Sequence, residues 1–190
     1  IHFYQYTHQP DWRMFEMKKK RTDIAKLFLK NVVKELKFEI QKFFDKTNKA
    51  DLPTIYREKQ LHSVLFPAVY HSSDVVMLEP PTNRKRKSRK LGYGWIDYWA
   101  YLKKWDVEIV IEVKHTSHSI NPTKPITSWI KNEWKAVIDQ INELPNDKII
   151  SKKKPIKIAL LFVQTFKTSK HKINKLEKSD LKKHFKGLAS

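Results

Sequence analysis

The chain of 190 residues contains no cysteine. That excludes disulfides, thiolate zinc sites and a cysteine nucleophile, and it fits a reducing, cytoplasmic setting. Glycine is nearly as scarce. Three residues are too few for the glycine-rich turns of a dinucleotide-binding or Walker-type phosphate loop. Acid is short as well, with 20 Asp and Glu against 39 Lys and Arg. No apolar run approaches the roughly 20 residues of a membrane span, so no membrane partner is expected. No secretory signal is visible, and because the chain begins at Ile1 rather than Met its natural N-terminus stays open. There is no internal repeat.

What remains is a basic, aromatic-rich chain. Its formal net charge is +19, its pI is near 9.9, and its 40% hydrophobic content suffices for one core. Such an excess of cations selects polyanions. Aromatic-rich strands without an obvious membrane helix favour nucleic acid, DNA ahead of RNA, over a membrane surface. A merely soluble, lysine-rich protein is the alternative. A homodimer or larger complex is compatible with either.

Periodicity organises the chain. Ala25, Phe28, Leu29, Val32, Leu36, Ile40 and Phe43 predict an amphipathic helix from about Thr22 to Phe44, capped by Thr22 or Asp23, with lysines on its other faces. A second helix is expected in "IYREKQLHSVLF", opened by Thr54 and closed by Pro67. Glu58 falls on its apolar stripe, and either finds a partner or reaches water at the edge. "AVYHSSDVVMLEP" reads as one irregular strand. "PPTNRKRKSRK" reads as a loop. Its Arg84, Lys85, Arg86, Lys87, Arg89 and Lys90 put six cations in seven residues, for a phosphate backbone or simply for water.

Strands are expected at about 93–102 and 107–114, joined by the turn "KKWD" as an antiparallel hairpin. "HTSHSINPTKP" reads as a polar loop. A third helix, about 127–144, carries Trp134, Val137, Ile138, Ile141 and Leu144 as its stripe. "IKIALLFVQTF" is an apolar strand of the kind covered on both faces, parallel to its predecessor through a crossover. The tail from Lys167 is basic, and a helix is expected near Leu176–Phe185. The expected division is an N-terminal helical extension (1–50), a core (51–166) and a lysine-rich tail (167–190) in one globular domain.

One place resists a purely structural reading. Alternation puts Val107, Ile109, Ile111 and Val113 on one strand face and Glu108, Val110, Glu112 and Lys114 on the other. Glu112 and Lys114 are either an ion pair at a solvated strand end or buried charges that need a partner or an ion. Asp97, among aromatics on the preceding strand, adds a third ionisable group.

The order helix, three strands, helix, strand, with Asp97, 14 intervening residues and then Glu112-Val113-Lys114, resembles the PD-(D/E)xK nuclease superfamily. The resemblance covers about residues 54–165 and departs at Ile96, where the signature often has proline. It implies an α/β fold, the restriction-endonuclease-like mixed sheet in αβββαβ order. It also implies Mg²⁺ (or Mn²⁺) held by Asp97, Glu112, the Val113 carbonyl and Glu58. Lys114 would hold or deprotonate a water, and Gln140 on the following helix would orient substrate or water. The implied activity is metal-dependent nuclease, most simply a DNA endonuclease in restriction, repair, mobile-element or phage-defence work. A non-catalytic DNA- or RNA-binding module that retains the fold is the alternative.

The chemistry agrees without the name, since hard carboxylate oxygens suit Mg²⁺, which keeps waters that can become the nucleophile. His62, His115 and His118 show no zinc spacing. The latter two read as polar loop residues or phosphate contacts. Trp95, Trp99 and Trp105 suit a core or an edge; Trp95 and Trp99 share the Asp97 face, which leaves base stacking open.

Overall fold

In the computed structural model, which describes residues 15–85, 91–119, 128–146 and 149–166, the first apolar stripe builds helix α1 (Phe15–Lys46). Ala25, Phe28, Leu29, Val32 and Leu36 are buried along it, while Lys30, Lys34, Lys37 and Lys42 face out. Neither Thr22 nor Asp23 caps the helix. The chain is already helical seven residues before Thr22, where Glu, Met and Lys residues are good helix formers.

A 3-10 turn at Pro53–Ile55 precedes helix α2 (Glu58–His71), so Thr54 belongs to that turn and Arg57 takes the cap position. Pro67 does not end α2. Leu61, Val64, Leu65, Ala68 and Val69 form one buried stripe that continues past it. Burying Ala68 and Val69 offsets the hydrogen bond lost at the proline. The expected irregular strand therefore divides. Ala68–His71 is helix, and only Val75–Leu78 is strand, β1.

Two antiparallel strands, β2 (Pro81–Lys85) and β3 (Leu91–Trp95), follow as a ribbon of their own. The basic "loop" is thus strand at its start, and Arg86, Lys87, Arg89 and Lys90 lie outside the described residues, as do the tail and its expected helix. The expected strand 93–102 is likewise two strands, broken at Ile96 and Asp97, with β4 at Tyr98–Leu102. A 3-10 turn at Lys103–Trp105 leads into β5 (Val107–Ser119). Helix α3 (Ser128–Glu143) crosses over to β6 (Ile156–Phe166).

The main sheet has the order β1-β4-β5-β6, with β5 and β6 parallel and the other pairs antiparallel. β5 runs five residues beyond its expected end, through "HTSHS". β6 pairs with it all the way to Ser119, and those ladder bonds do not depend on apolar side chains. Both faces of β5 are covered. Val107, Ile109, Ile111 and Val113 share a core with α1 and α2, and Val110 meets Val137, Ile141 and Leu144 from the α3 side. The described chain is therefore α/β, with three helices, a mixed four-stranded sheet and a small two-stranded one. Among the described residues no helix is long and apolar enough to cross a membrane.

Candidate active site

The site lies where β4 begins and β5 continues past it. Antiparallel pairing covers β5 only as far as the Tyr98–Ile111 pair, and beyond that point β5 has β6 alone beside it among the described residues. Along a strand, the N–H and C=O of alternate residues leave on the same edge. The backbone groups of Val113 therefore point to the side that β4 has vacated. Asp97, one residue before β4, fills the gap: the Val113 N–H donates to Asp97 Oδ2 at 2.6 Å. The Val113 carbonyl leaves on that same edge.

The break in the strand that frees Asp97 is itself pinned. The Ile96 N–H donates to Pro80 O, and the Glu79 N–H donates to Asp97 O, both at 3.1 Å. Glu79 makes the turn between β1 and β2 with φ at 50°, a left-handed geometry that costs a non-glycine residue about 1 kcal/mol.

Glu112 is 2% exposed, so the solvated strand end is ruled out for it. It lies on the β5 face that α3 covers. Lys114 and Glu58 form an ion pair at 3.5 Å, both partly exposed. Glu58 opens α2, where a carboxylate is favoured by the helix dipole. Lys114 is thus the partner that the sequence left open for Glu58.

Electrostatics ties these groups together. Burial pushes the Asp97 carboxyl above its ordinary range and the Glu58 charge adds to this, while the Val113 N–H, His62 and Lys114 oppose it. Tyr98 is fully buried, and its phenol is raised far above the usual value by burial first, then by Asp97, Glu58 and Glu79. It stays protonated and is hydrogen-bonded to His62 Nδ1. His62 stands one helical turn after Glu58, so α2 presents both to the site. The sequence raises His62 only as one of three histidines without zinc spacing; nothing in it marks the link to Tyr98, which is 36 residues away.

The other expected residues divide. His115 and His118 are strand residues of β5, not loop residues. The His115 Nε2–H donates to Thr54 O at 2.9 Å, which ties the turn before α2 to the strand that carries Glu112 and Lys114. His118 is buried. Gln140 sits on α3 three residues after Val137, beside the stripe that packs on the Glu112 face. Trp99 is buried against α3 and unavailable for stacking on bases, whereas Trp95 is exposed on the ribbon.

Glu108 shares a strand face with Glu112 but has a different task. It is fully buried. Its carboxylate accepts from the backbone N–H groups of Ile149 (2.9 Å), Ile150 and Ser151 (both 2.5 Å) and from Trp99 Nε1 (3.0 Å). Burial works against its charge, but these donors outweigh burial and hold it below the ordinary carboxylate range. It fastens the segment before β6 to β5.

Among the described residues no three His, Asp or Glu side chains gather closely enough to hold a metal ion. Asp97, Glu112 and Glu58 therefore do not form a three-carboxylate cage. The donor chemistry nonetheless fits one ion of the Mg²⁺ type, which binds through one or two carboxylates, keeps several waters and completes its shell with substrate phosphate. Asp97 and Glu112 are carboxylates of that hard type, and the Val113 carbonyl leaves on the edge where Asp97 accepts the Val113 N–H. Comparison with family models, curated proteins and solved structures finds no match for this chain.

Proposed function

We propose that this protein is a Mg²⁺- or Mn²⁺-dependent nuclease acting on DNA, with a restriction-endonuclease-like core. The observation that carries the reading is the hydrogen bond from Val113 to Asp97. It sets a half-buried carboxylate against the Glu112-Val113-Lys114 segment, at the end of a ladder, beside the Lys114–Glu58 pair. The order of α2, the three antiparallel strands β1, β4 and β5, α3 and parallel β6 supports the fold part of it.

Asp97, Glu112 and the Val113 carbonyl would hold the ion, which when bound supplies an acidified water and neutralises charge on the phosphate. Lys114 brings an ammonium to the same edge, where it orients the attacking water and offsets the charge that develops on the phosphoryl oxygens. Glu58 fixes where that ammonium sits. Gln140 on α3 orients substrate or water.

The deciding experiment is incubation of the protein with supercoiled plasmid in Mg²⁺, Mn²⁺, Ca²⁺ or EDTA. Nicking in Mg²⁺ and Mn²⁺, with tighter binding but little cleavage in Ca²⁺, is expected. A DNA-binding module without catalysis is the second reading, favoured by the lack of a three-carboxylate group among the described residues. It predicts no nicking in any metal and equal affinity in EDTA and Ca²⁺.

The cations of residues 84–90 make the DNA part testable alone. The logarithm of duplex affinity should fall with that of salt concentration at about −0.9 per neutralised phosphate. Replacing Arg84, Lys85, Arg86 and Lys87 together with neutral residues should make the slope shallower by up to about 0.9 for each phosphate that is no longer neutralised. An unchanged slope and affinity would leave that segment merely solvated.

A further inference from the structure

Trp129 is 60% exposed, although an indole is among the side chains that gain most from burial. Exposure alone decides nothing, since single apolar side chains are common on protein surfaces. Phe38 on α1 is as exposed, at 61%, and nothing about it points to a ligand. Trp129 differs in how it is held and in where it stands.

It is the second residue of α3, and its indole N–H donates to the Thr116 hydroxyl at 2.7 Å. Thr116 is buried, and its backbone lies in the β5–β6 ladder opposite Val163. The one polar atom of the ring is therefore tied to the sheet. That bond restrains the ring before any ligand arrives, which lowers the ordering cost of binding. An indole carries most of its area on its two faces, so this exposure leaves at least one face open to water. An open aromatic face of fixed orientation is a platform for another flat ring.

Position supplies the class of ligand. Alternation places Thr116 on the same face of β5 as Glu112 and Lys114, two residues beyond the lysine. At about 3.3 Å per residue that is roughly 7 Å along the strand. Successive bases of a stacked strand are about 3.4 Å apart. The platform thus stands on the order of one or two nucleotides from a phosphate held at Lys114. Lys131, exposed in the same helical turn as Trp129, adds a cation. The net charge of +19 selects a polyanion, and a nucleobase is the flat ring that such a polyanion carries. Inside a duplex both faces of a base are covered by its neighbours. Only a nucleotide free to leave the stack can offer its face to the indole.

We propose that Trp129 is a stacking platform for an unpaired nucleobase, so that the DNA recognised here carries single-stranded nucleotides next to the phosphate at Lys114. This rests on the nucleic-acid half of the reading above and not on cleavage.

The test is binding of the full chain, in EDTA, to labelled duplex DNA with a short single-stranded extension, read by fluorescence anisotropy. The comparison is the same duplex with an abasic extension, which keeps every phosphate. Wild type should bind the base-bearing extension at least about fivefold more tightly. Trp129→Ala should bind the two equally, with the salt slope unchanged, because the indole neutralises no phosphate. Trp129→Phe, the milder change should alanine disturb α3, keeps a ring and should retain part of the preference. Thr116→Val has the same shape without the acceptor. It should lower the preference while leaving affinity for the abasic DNA as in wild type. Phe38→Ala should behave as wild type does.

Equal wild-type binding of the base-bearing and abasic DNAs would overturn the platform. So would a preference that survives in Trp129→Ala, or one that Phe38→Ala loses as fully. Absence of binding to either DNA would sink the platform and the DNA reading together. A protein that shows the Trp129-dependent preference but never nicks plasmid keeps the platform and sinks the nuclease. Nicking by a protein whose Trp129→Ala variant keeps the preference sinks the platform alone.

Discussion

Asp97→Asn and Glu112→Gln are each expected to cut Mg²⁺-dependent cleavage of duplex DNA by about 10³-fold while leaving the fold intact. Each substitution removes one charge and keeps the shape of the side chain. The amide oxygen at position 97 can still accept the Val113 N–H, so the end of the ladder survives, and circular dichroism should not change. Calorimetric titration should show weaker Mn²⁺ binding for both. Lys114→Met should lose turnover yet bind Mn²⁺, and Glu58→Gln should have the mildest effect. In EDTA, Asp97→Asn should bind duplex DNA more tightly than wild type, because one carboxylate that repels the phosphate is gone. Burial raises the Asp97 pKa, and only the ionised carboxylate holds a cation. Mn²⁺ affinity should therefore begin to fall, as pH drops, at a higher pH than an ordinary aspartate would set. Cleavage at the wild-type rate by both charge variants would remove these residues from the site.

Glu108→Ala should produce the largest loss of stability. It leaves the Trp99 indole N–H and the backbone N–H groups of Ile149, Ile150 and Ser151 without their acceptor. A stranded buried donor costs about 1–3 kcal/mol, so a total of at least about 3 kcal/mol is expected even after local rearrangement. For a chain of this size that lowers Tm by roughly 6–12 °C. The pH dependence has a definite sign. The folded-state pKa of Glu108 is depressed, so its stabilisation is fully present above the unfolded-state value, near 4.3. It is lost as pH falls through the lower folded-state value. Urea melts across the acid range should show this limb in wild type and a shallower one in Glu108→Gln. A Tm for Glu108→Ala within error of wild type would show that the 149–151 segment finds its acceptors elsewhere.

The parts of the fold that were legible in the sequence are those where one periodicity runs unopposed. Trp134, Val137, Ile138 and Ile141 on α3, the unbroken apolar run of β6 and the alternation from Val107 to Val113 each pointed to a single element. The parts that were not legible depend on distant partners. His115 to Ser119 look like a loop until β6 lies beside them. Pro67 reads as a stop until the buried Ala68 and Val69 carry the helix past it. Of the site, Asp97, Glu112 and Lys114 stood out as charges in apolar strands. The cradle around Glu108 did not, because its backbone donors come from a segment more than forty residues further along, with no side-chain pattern to announce them. The link between His62 and Tyr98 has the same character.

The ribbon joins the rest of the chain beside a pair of backbone bonds at its base, and among the described residues its strands form a two-stranded sheet separate from the main one. Such an appendage can change length at small thermodynamic cost, since loop closure grows only with the logarithm of the number of residues. Residues between Pro81 and Trp95 can therefore be exchanged, lengthened or reversed in charge while Ile96, Asp97 and the β4–β5 ladder keep their register. Selection can act on the ribbon without disturbing the strand ends beside it. A family descended from this chain would be expected to diverge fastest in that ribbon and slowest in the ladder beneath it.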